Sequence, residues 1–124
     1  MSIRVGILGF AHGHVYSYCT QWRKSPAYDI QIVAGWDHDA SRLAAACKET
    51  GAAPCASVDA LLARADVQAV IVASETARHC ELVEQAAAAG KTIVLQKPMA
   101  LTLPEADRMV AAVQRAGVPF TLAW

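Results

Sequence analysis

Residues Ile3 to Val15, IRVGILGFAHGHV, decide how the rest of the chain is read. Ile3 to Phe10 is a nearly continuous apolar run, as expected of a strand covered on both faces. Gly9 sits near its end, and a short turn rich in glycine and histidine follows. From about Gly13 to Lys24 the pattern reads as a helix, stopped by Ser25-Pro26. An apolar strand that passes through a glycine turn straight into a helix is the opening unit of a doubly wound sheet.

The remaining segments repeat that unit. Ile30 to Trp36, IQIVAGW, reads as a second strand. Asp39 is placed to cap the next helix, which runs through Leu43 and ends at Gly51. A short strand is predicted around Ala53 to Cys55, then a brief helix started by Ser57 and carrying Leu61 and Leu62. Val67 to Ala73, VQAVIVA, is a strand; Arg78 to about Ala89 is a helix closed by Gly90; Thr92 to Gln96, TIVLQ, is the next strand. Thr102 and Glu105 have capping-box spacing, with Pro104 in the first turn where its missing N–H has no helical partner. That helix ends near Gly117, and Val118 to Leu122, VPFTL, supplies a last strand. Six alternations of strand and helix with short connections specify an α/β fold. The predicted architecture is a doubly wound, six-stranded parallel sheet in three layers, α/β/α. No internal repeat, low-complexity segment or linker interrupts it, so residues 1–124 read as one domain.

Composition excludes several functions. Hydrophobic residues make up 55% of the 124 and charged ones 18%, which argues for a buried core and against disorder. Lys plus Arg and Asp plus Glu both number 11, so the clustered basic face of a nucleic-acid binder is not expected. No apolar run reaches the roughly 18 to 20 residues that cross a bilayer, and the N-terminus lacks the pattern of a signal peptide. A cytoplasmic protein is therefore expected, with no nucleic-acid or membrane partner. Cys19, Cys47, Cys55 and Cys80 show no close pairing and read as reduced, buried small hydrophobes.

The opening turn carries the chemistry. A pyrophosphate needs backbone N–H donors, the positive end of a helix, and no side chain in the way. Gly9 can make the tight turn, Ala11 stands where a glycine would allow closest approach, and Gly13 and His14 fall around the third glycine position. The motif is thus an imperfect dinucleotide fingerprint, set between a strand and a helix as that fingerprint requires. Asp37 closes the second strand at roughly the 20-residue distance expected of the acid that accepts from an adenosine ribose. A carboxylate there favours NAD and repels the 2′-phosphate of NADP; taken alone, it is equally a polar strand end beside the Asp39 cap. His12 and His14, two residues apart on a tight turn, are poorly spaced to share a metal ion, and no metal site is expected. Either could donate to a pyrophosphate or a substrate, or simply face solvent.

Asp66 to Trp124, DVQAVIVASETARHCELVEQAAAAGKTIVLQKPMALTLPEADRMVAAVQRAGVPFTLAW, resembles the Gfo/Idh/MocA oxidoreductases. The resemblance extends over essentially the whole chain. Its most specific part is Ala89-Gly90-Lys91, an apolar strand, then Gln96-Lys97-Pro98. It implies a Rossmann domain that binds NAD, NADP being less favoured, and that serves hydride transfer to or from a sugar, polyol or related alcohol. Carried over by position, Gly9, Phe10, Ala11, His12, Gly13 and His14 would line the pyrophosphate, and Asp37 would take the ribose. Ser74, His79, Gln96 and Lys97 would lie on the nicotinamide side, with Lys97 assisting catalysis, a role for which the bare sequence offers a solvated cation before a proline as the alternative. Gln96 replaces the family's Glu, and Glu75-Thr76 replace its Pro-Asn on that same side. The resemblance also implies a second, substrate-binding domain with the main acid/base residues, and these 124 residues hold only the first. The expectation is a piece of a longer enzyme acting on a small-molecule substrate, the piece alone being inactive. The runner-up is a non-catalytic NAD-binding module. Apolar residues from Phe120 to Trp124 should then lie uncovered and promote homo-oligomers.

Overall fold

The computed structural model describes residues 2–123. Its strands are β1 (Ile3–Leu8), β2 (Ile30–Trp36), β3 (Ala53–Pro54), β4 (Ala69–Val72), β5 (Thr92–Gln96) and β6 (Phe120–Ala123). They form one sheet in the order β3-β2-β1-β4-β5-β6, every neighbouring pair parallel. The helices are α1 (His14–Lys24), α2 (Ala40–Thr50), α3 (Val58–Leu62), α4 (His79–Ala88) and α5 (Leu103–Ala116). Strand order reverses between β1 and β4, and in doubly wound sheets the ligand crevice opens at that point, at the carboxyl ends of the strands.

The alternation of side chains along the strands builds the three layers. Val5 and Ile7 of β1 and Ile71 of β4 pack with Val15 and Cys19 of α1 and Ala46 of α2. Leu8, Val70, Val72, Ile93 and Leu95 point the other way, onto α3, α4 and α5 through Leu61, Leu82, Val83, Ala86 and Met109. Both sheet faces are dry over β1 and β4, which is why those strands read as continuous apolar runs.

Local chemistry sets the boundaries. Asp39, Ser57 and Thr102 cap α2, α3 and α5 by accepting from the N–H three residues on. Gly51 and Gly117 end α2 and α5 in the left-handed conformation. β1 stops at Leu8, two residues before the predicted end, because Gly9 turns to φ +90. β6 begins after Pro119, which cannot donate to the ladder but whose carbonyl accepts from Ile93. Helix α4 starts at His79 after a 3₁₀ turn over Thr76–Arg78. Lys91, part of the motif shared with the family, donates its ammonium to the carbonyls of Arg64 (3.0 Å) and Val67 (2.6 Å). It ties the end of α3 to the approach of β5, and its role is structural.

Phe120 and Leu122 are half-buried against the α4–α5 core rather than uncovered, while Thr121 is exposed. Trp124, the last residue of the expected apolar patch, lies outside the described residues. No helix among them is long and apolar enough to cross a membrane.

Candidate functional site: a crevice with a charged and a neutral side

The β1–α1 turn forms the floor of the crevice. Gly9 is required there twice over: its φ is +90, and a Cβ would stand 2.5 Å from the Cα of Ser74. Ser74, buried just past β4, is therefore packed directly under the turn. His12 donates its N–H to the Ala73 carbonyl, Val15 to His12, and Tyr16 to Gly13. None of these bonds uses the N–H of Ala11 or Gly13. Gly13 sits at the N-cap of α1 with no side chain capping it, its φ is an ordinary −61, and a Cβ there would meet nothing within 4 Å. Backbone conformation does not demand this glycine. It leaves open space at the positive end of a helix, the arrangement that accepts an anion.

Phe10 is placed differently from the rest of the turn. Its ring is buried in the α1–α2 core, close enough to Gly35 that a Cβ there would come within 2.9 Å of it. Its N–H donates to Asp37 Oδ2 at 2.8 Å. Neither ring nor amide faces the crevice, so Phe10 shapes the turn from below.

On the β2 side the site is charged and already paired. Asp37 has a fully buried side chain. Its Oδ2 accepts from Phe10 N–H and from Arg42 Nε (2.9 Å); its Oδ1 accepts from Asp39 N–H (2.8 Å) and an Arg42 terminal nitrogen (2.9 Å). Four donors fill the four lone-pair positions of a carboxylate. Burial opposes ionisation of Asp37, yet the Arg42 fork and the two amides outweigh it and hold its pKa below the usual range. Arg42 reaches on to Glu75 Oε2 at 2.8 Å, and His38 Nε2 lies 2.7 Å from that same oxygen. For Glu75 too, burial works upward and the bonds from Arg42 and His38 work downward, leaving its pKa at about 2. The second oxygen of Glu75, Oε1, is buried and has no partner.

On the β5 side the buried polar groups are an amide and a hydroxyl rather than paired charges. Gln96 is 1% exposed, accepts from the Tyr18 hydroxyl through Oε1 at 2.9 Å, and places Nε2 3.0 Å from His14 Nδ1. An amide nitrogen can only donate, so Nδ1 of His14 accepts and the ring proton resides on Nε2. The His12 and His14 rings lie side by side, tilted by 59°, with centroids 4.6 Å apart. Burial, then the proximity of His14, Lys97 and His79, lowers the pKa of His12. Lys97 is exposed past the end of β5, and its peptide to Pro98 is cis. His79 is buried; its Nε2 lies 3.1 Å from the Ser74 carbonyl and its Nδ1 3.2 Å from that of Met99. It joins the β4 end to the loop that follows Lys97-Pro98.

The crevice thus gathers Gly9, Ala11, His12, Gly13, His14, Ser74, Gln96 and Lys97 at one end of the sheet, with Asp37 at its β2 flank. His79 supports this assembly from within, as Phe10 does. Sequence reasoning did not find Arg42, His38 or Tyr18, and it placed Glu75 on the nicotinamide side, whereas it reaches toward β2. A guanidinium one helical turn past an Asx cap carries no signal until the fold brings the β4 end beside it. Among the described residues no group of three His, Cys, Asp or Glu side chains is arranged to hold a metal ion.

Comparison with known proteins agrees with this architecture. A family model described as an oxidoreductase family with an NAD-binding Rossmann fold matches residues 3–123. The chain is 38% identical to D-apiose dehydrogenase of Paraburkholderia graminis over 93% of its own length and 29% of that protein's. It is 34% identical to inositol 2-dehydrogenase of Rhizobium meliloti, over 92% of its length and 32% of the relative's. The WlbA dehydrogenase of Bordetella pertussis, solved in complex with NADH and UDP-GlcNAcA, superposes with a TM-score of 0.85 at 29% identity, over 98% of this chain and 35% of that one. The chain spans about a third of the length of the proteins it matches. With the strand order, the glycine turn and the residues 3–123 match taken together, the chain belongs to the Gfo/Idh/MocA oxidoreductase family, as an NAD-binding Rossmann domain.

Proposed function

We propose that this domain holds NAD across the carboxyl ends of β2, β1, β4 and β5, as the cofactor half of an enzyme that oxidises or reduces a sugar, polyol or related alcohol. The observation that carries this reading is the turn into α1, which has no side-chain cap at Gly13 and opens there on free space at the point where strand order reverses. The amides of Ala11 and Gly13 and the donor face of His14 suit a pyrophosphate. Asp37 and its neighbours, acidic in balance, suit the adenosine ribose of NAD better than a 2′-phosphate.

Ser74, Gln96, His14 and Lys97 would border the nicotinamide half. When bound, that ring supplies a site that accepts or gives up a hydride. Lys97 is an exposed cation at this end, and it is suited to hydrogen-bond a substrate oxygen and steady the charge developing on it. The buried neutral amide of Gln96 keeps His14 a donor through Nε2 without adding charge beside Lys97. The substrate pocket and the principal acid/base group would come from residues beyond this domain, in keeping with the greater length of its relatives.

Titrating the 124-residue chain with NADH, followed by calorimetry and nicotinamide fluorescence, tests the binding claim. Saturable binding is expected; a silent titration overturns it. In the full-length protein, Lys97→Ala should lower kcat on alcohol substrates while NADH affinity persists. No alcohol turned over with NAD by the unmodified full-length protein would defeat the catalytic claim.

A further inference from the structure

The acid expected to take the ribose is the one group at the crevice with nothing left to give. All four acceptor positions of Asp37 are occupied, two by Arg42 in a fork and two by backbone amides. A sugar hydroxyl could bond it only by displacing one of those donors from a fully buried side chain, and leaving a buried donor unmade is costly. A second acidic group nearby is in the opposite condition. Glu75 spans from the end of β4 to Arg42 and His38 at the end of β2, across the Gly9 turn, and spends only Oε2 on them. Its Oε1 is shielded from solvent and unpartnered among the described residues. Buried polar atoms left without a partner are rare enough to need an explanation.

We propose that Glu75 determines which dinucleotide this domain accepts: its free Oε1 receives a ribose hydroxyl, and its Oε2 neutralises Arg42 so that no cation is left for a 2′-phosphate. The inference rests on the reading of the crevice as a dinucleotide site. Without Glu75, Arg42 faces one carboxylate instead of two, and a guanidinium with unused N–H donors beside a ribose is what recognises a 2′-phosphate. With Glu75, a phosphate at that point meets two carboxylates and one guanidinium, and repulsion prevails. Both oxygens of the one carboxylate act in the same direction. Its ionisation is secure, because the bonds from Arg42 and His38 outweigh burial.

The test compares affinities of the 124-residue chain for NADH and NADPH by calorimetry, in the unmodified protein and in Glu75→Gln and Glu75→Ala, with melting curves to confirm that each variant folds. The unmodified chain should prefer NADH, and both variants should shift the NADH/NADPH affinity ratio toward NADPH by about tenfold, equivalent to ~1.4 kcal/mol. The adenosine fragments 5′-AMP and 2′,5′-ADP should show the same shift, locating it at the ribose. A ratio that moves less than about twofold in both folded variants, with NADH still bound, sinks the inference and leaves the dinucleotide reading standing. If neither dinucleotide binds the unmodified chain, both fall together.

Discussion

The two flanks of the crevice solve opposite electrostatic problems. At β2, Asp37, Arg42, Glu75 and His38 form a dense charged cluster in which nearly every donor and acceptor is spent on another side chain or amide. At β5, Tyr18, Gln96 and His14 form a neutral relay, and the exposed Lys97 beside it enters no ion pair among the described residues. The first flank is set before any ligand arrives, and on the proposal above it selects by charge. The second holds His14 in place through the Gln96 amide, and leaves Lys97 without an ion-pair partner among the described residues. Pairing charges where recognition is needed, and withholding the partner where chemistry is needed, are two uses of the same interactions.

The comparison can be broken most severely at its charged side. Arg42→Ala strands a buried carboxylate that keeps only two amide donors; removing one partner of a buried pair costs about 3 to 5 kcal/mol, and the lower end is expected here because those amides remain. Urea unfolding at neutral pH measures it. The deficit should shrink in acid, where Asp37 takes up a proton in the variant before it does in the unmodified chain. Gly9→Ala is next, at about 3 kcal/mol: the Cβ meets the backbone of Ser74 at 2.5 Å and the φ of +90 is strained for any other residue. An alanine that left stability unchanged would show that turn and β4 end are not packed as described.

A smaller effect follows from Glu75. Its folded pKa of about 2 lies below its usual 4.5, so its contribution to stability is present above about pH 4.5 and fades as pH falls toward 2. Unfolding free energies of the unmodified chain and Glu75→Gln, from urea denaturation, should therefore differ at neutral pH by under about 1 kcal/mol, because the side chain is partly exposed. They should converge in acid. A gap that widened in acid would contradict the pairing.

At the neutral flank, Gln96→Glu replaces the donor to His14 with an acceptor. Long-range ¹H–¹⁵N spectra should show His14 protonated at Nε2 alone in the unmodified chain, and a proton on Nδ1 in the variant. Unchanged spectra would mean the amide does not set the ring. The mildest change is Gly13→Ala, which enters open space at an ordinary φ. It should stabilise the chain by about 0.4 to 1 kcal/mol through the unfolded state. If the space is there for a ligand, NADH should bind more weakly to this more stable variant.

The sequence disclosed what depends on short-range pattern. Strands, caps and stops follow from apolar runs and from Asp39, Ser57, Thr102, Gly51 and Gly117, all read within a few residues of where they act. The strand boundaries were less legible, because Gly9 and Pro119 cut their runs short by backbone geometry rather than by polarity. Gly9 and Asp37 could be singled out because each follows a strand at a recognisable spacing, and Gln96 and Lys97 because the motif they sit in resembles that of a known family. What those residues are bonded to could not. Tyr18 and Gln96 stand 78 positions apart, and Arg42 and Glu75 stand 33 apart. No periodicity links such pairs; only the order in which the strands are laid down does. The same limit put Glu75 on the wrong flank, since the direction of a side chain after β4 depends on what β2 offers it.

The hydroxyl that Tyr18 donates to Gln96 has a mechanical meaning. Helix α1 is attached covalently to β1, and β5 lies two strands away in the sheet, so this contact, together with that of Gln96 and His14, braces the helix across the intervening β4. A ligand that met the first turn of α1 would thus be linked, through His14 and Gln96, to the residue next to Lys97. The two halves of a bound dinucleotide would be felt by a single rigid frame.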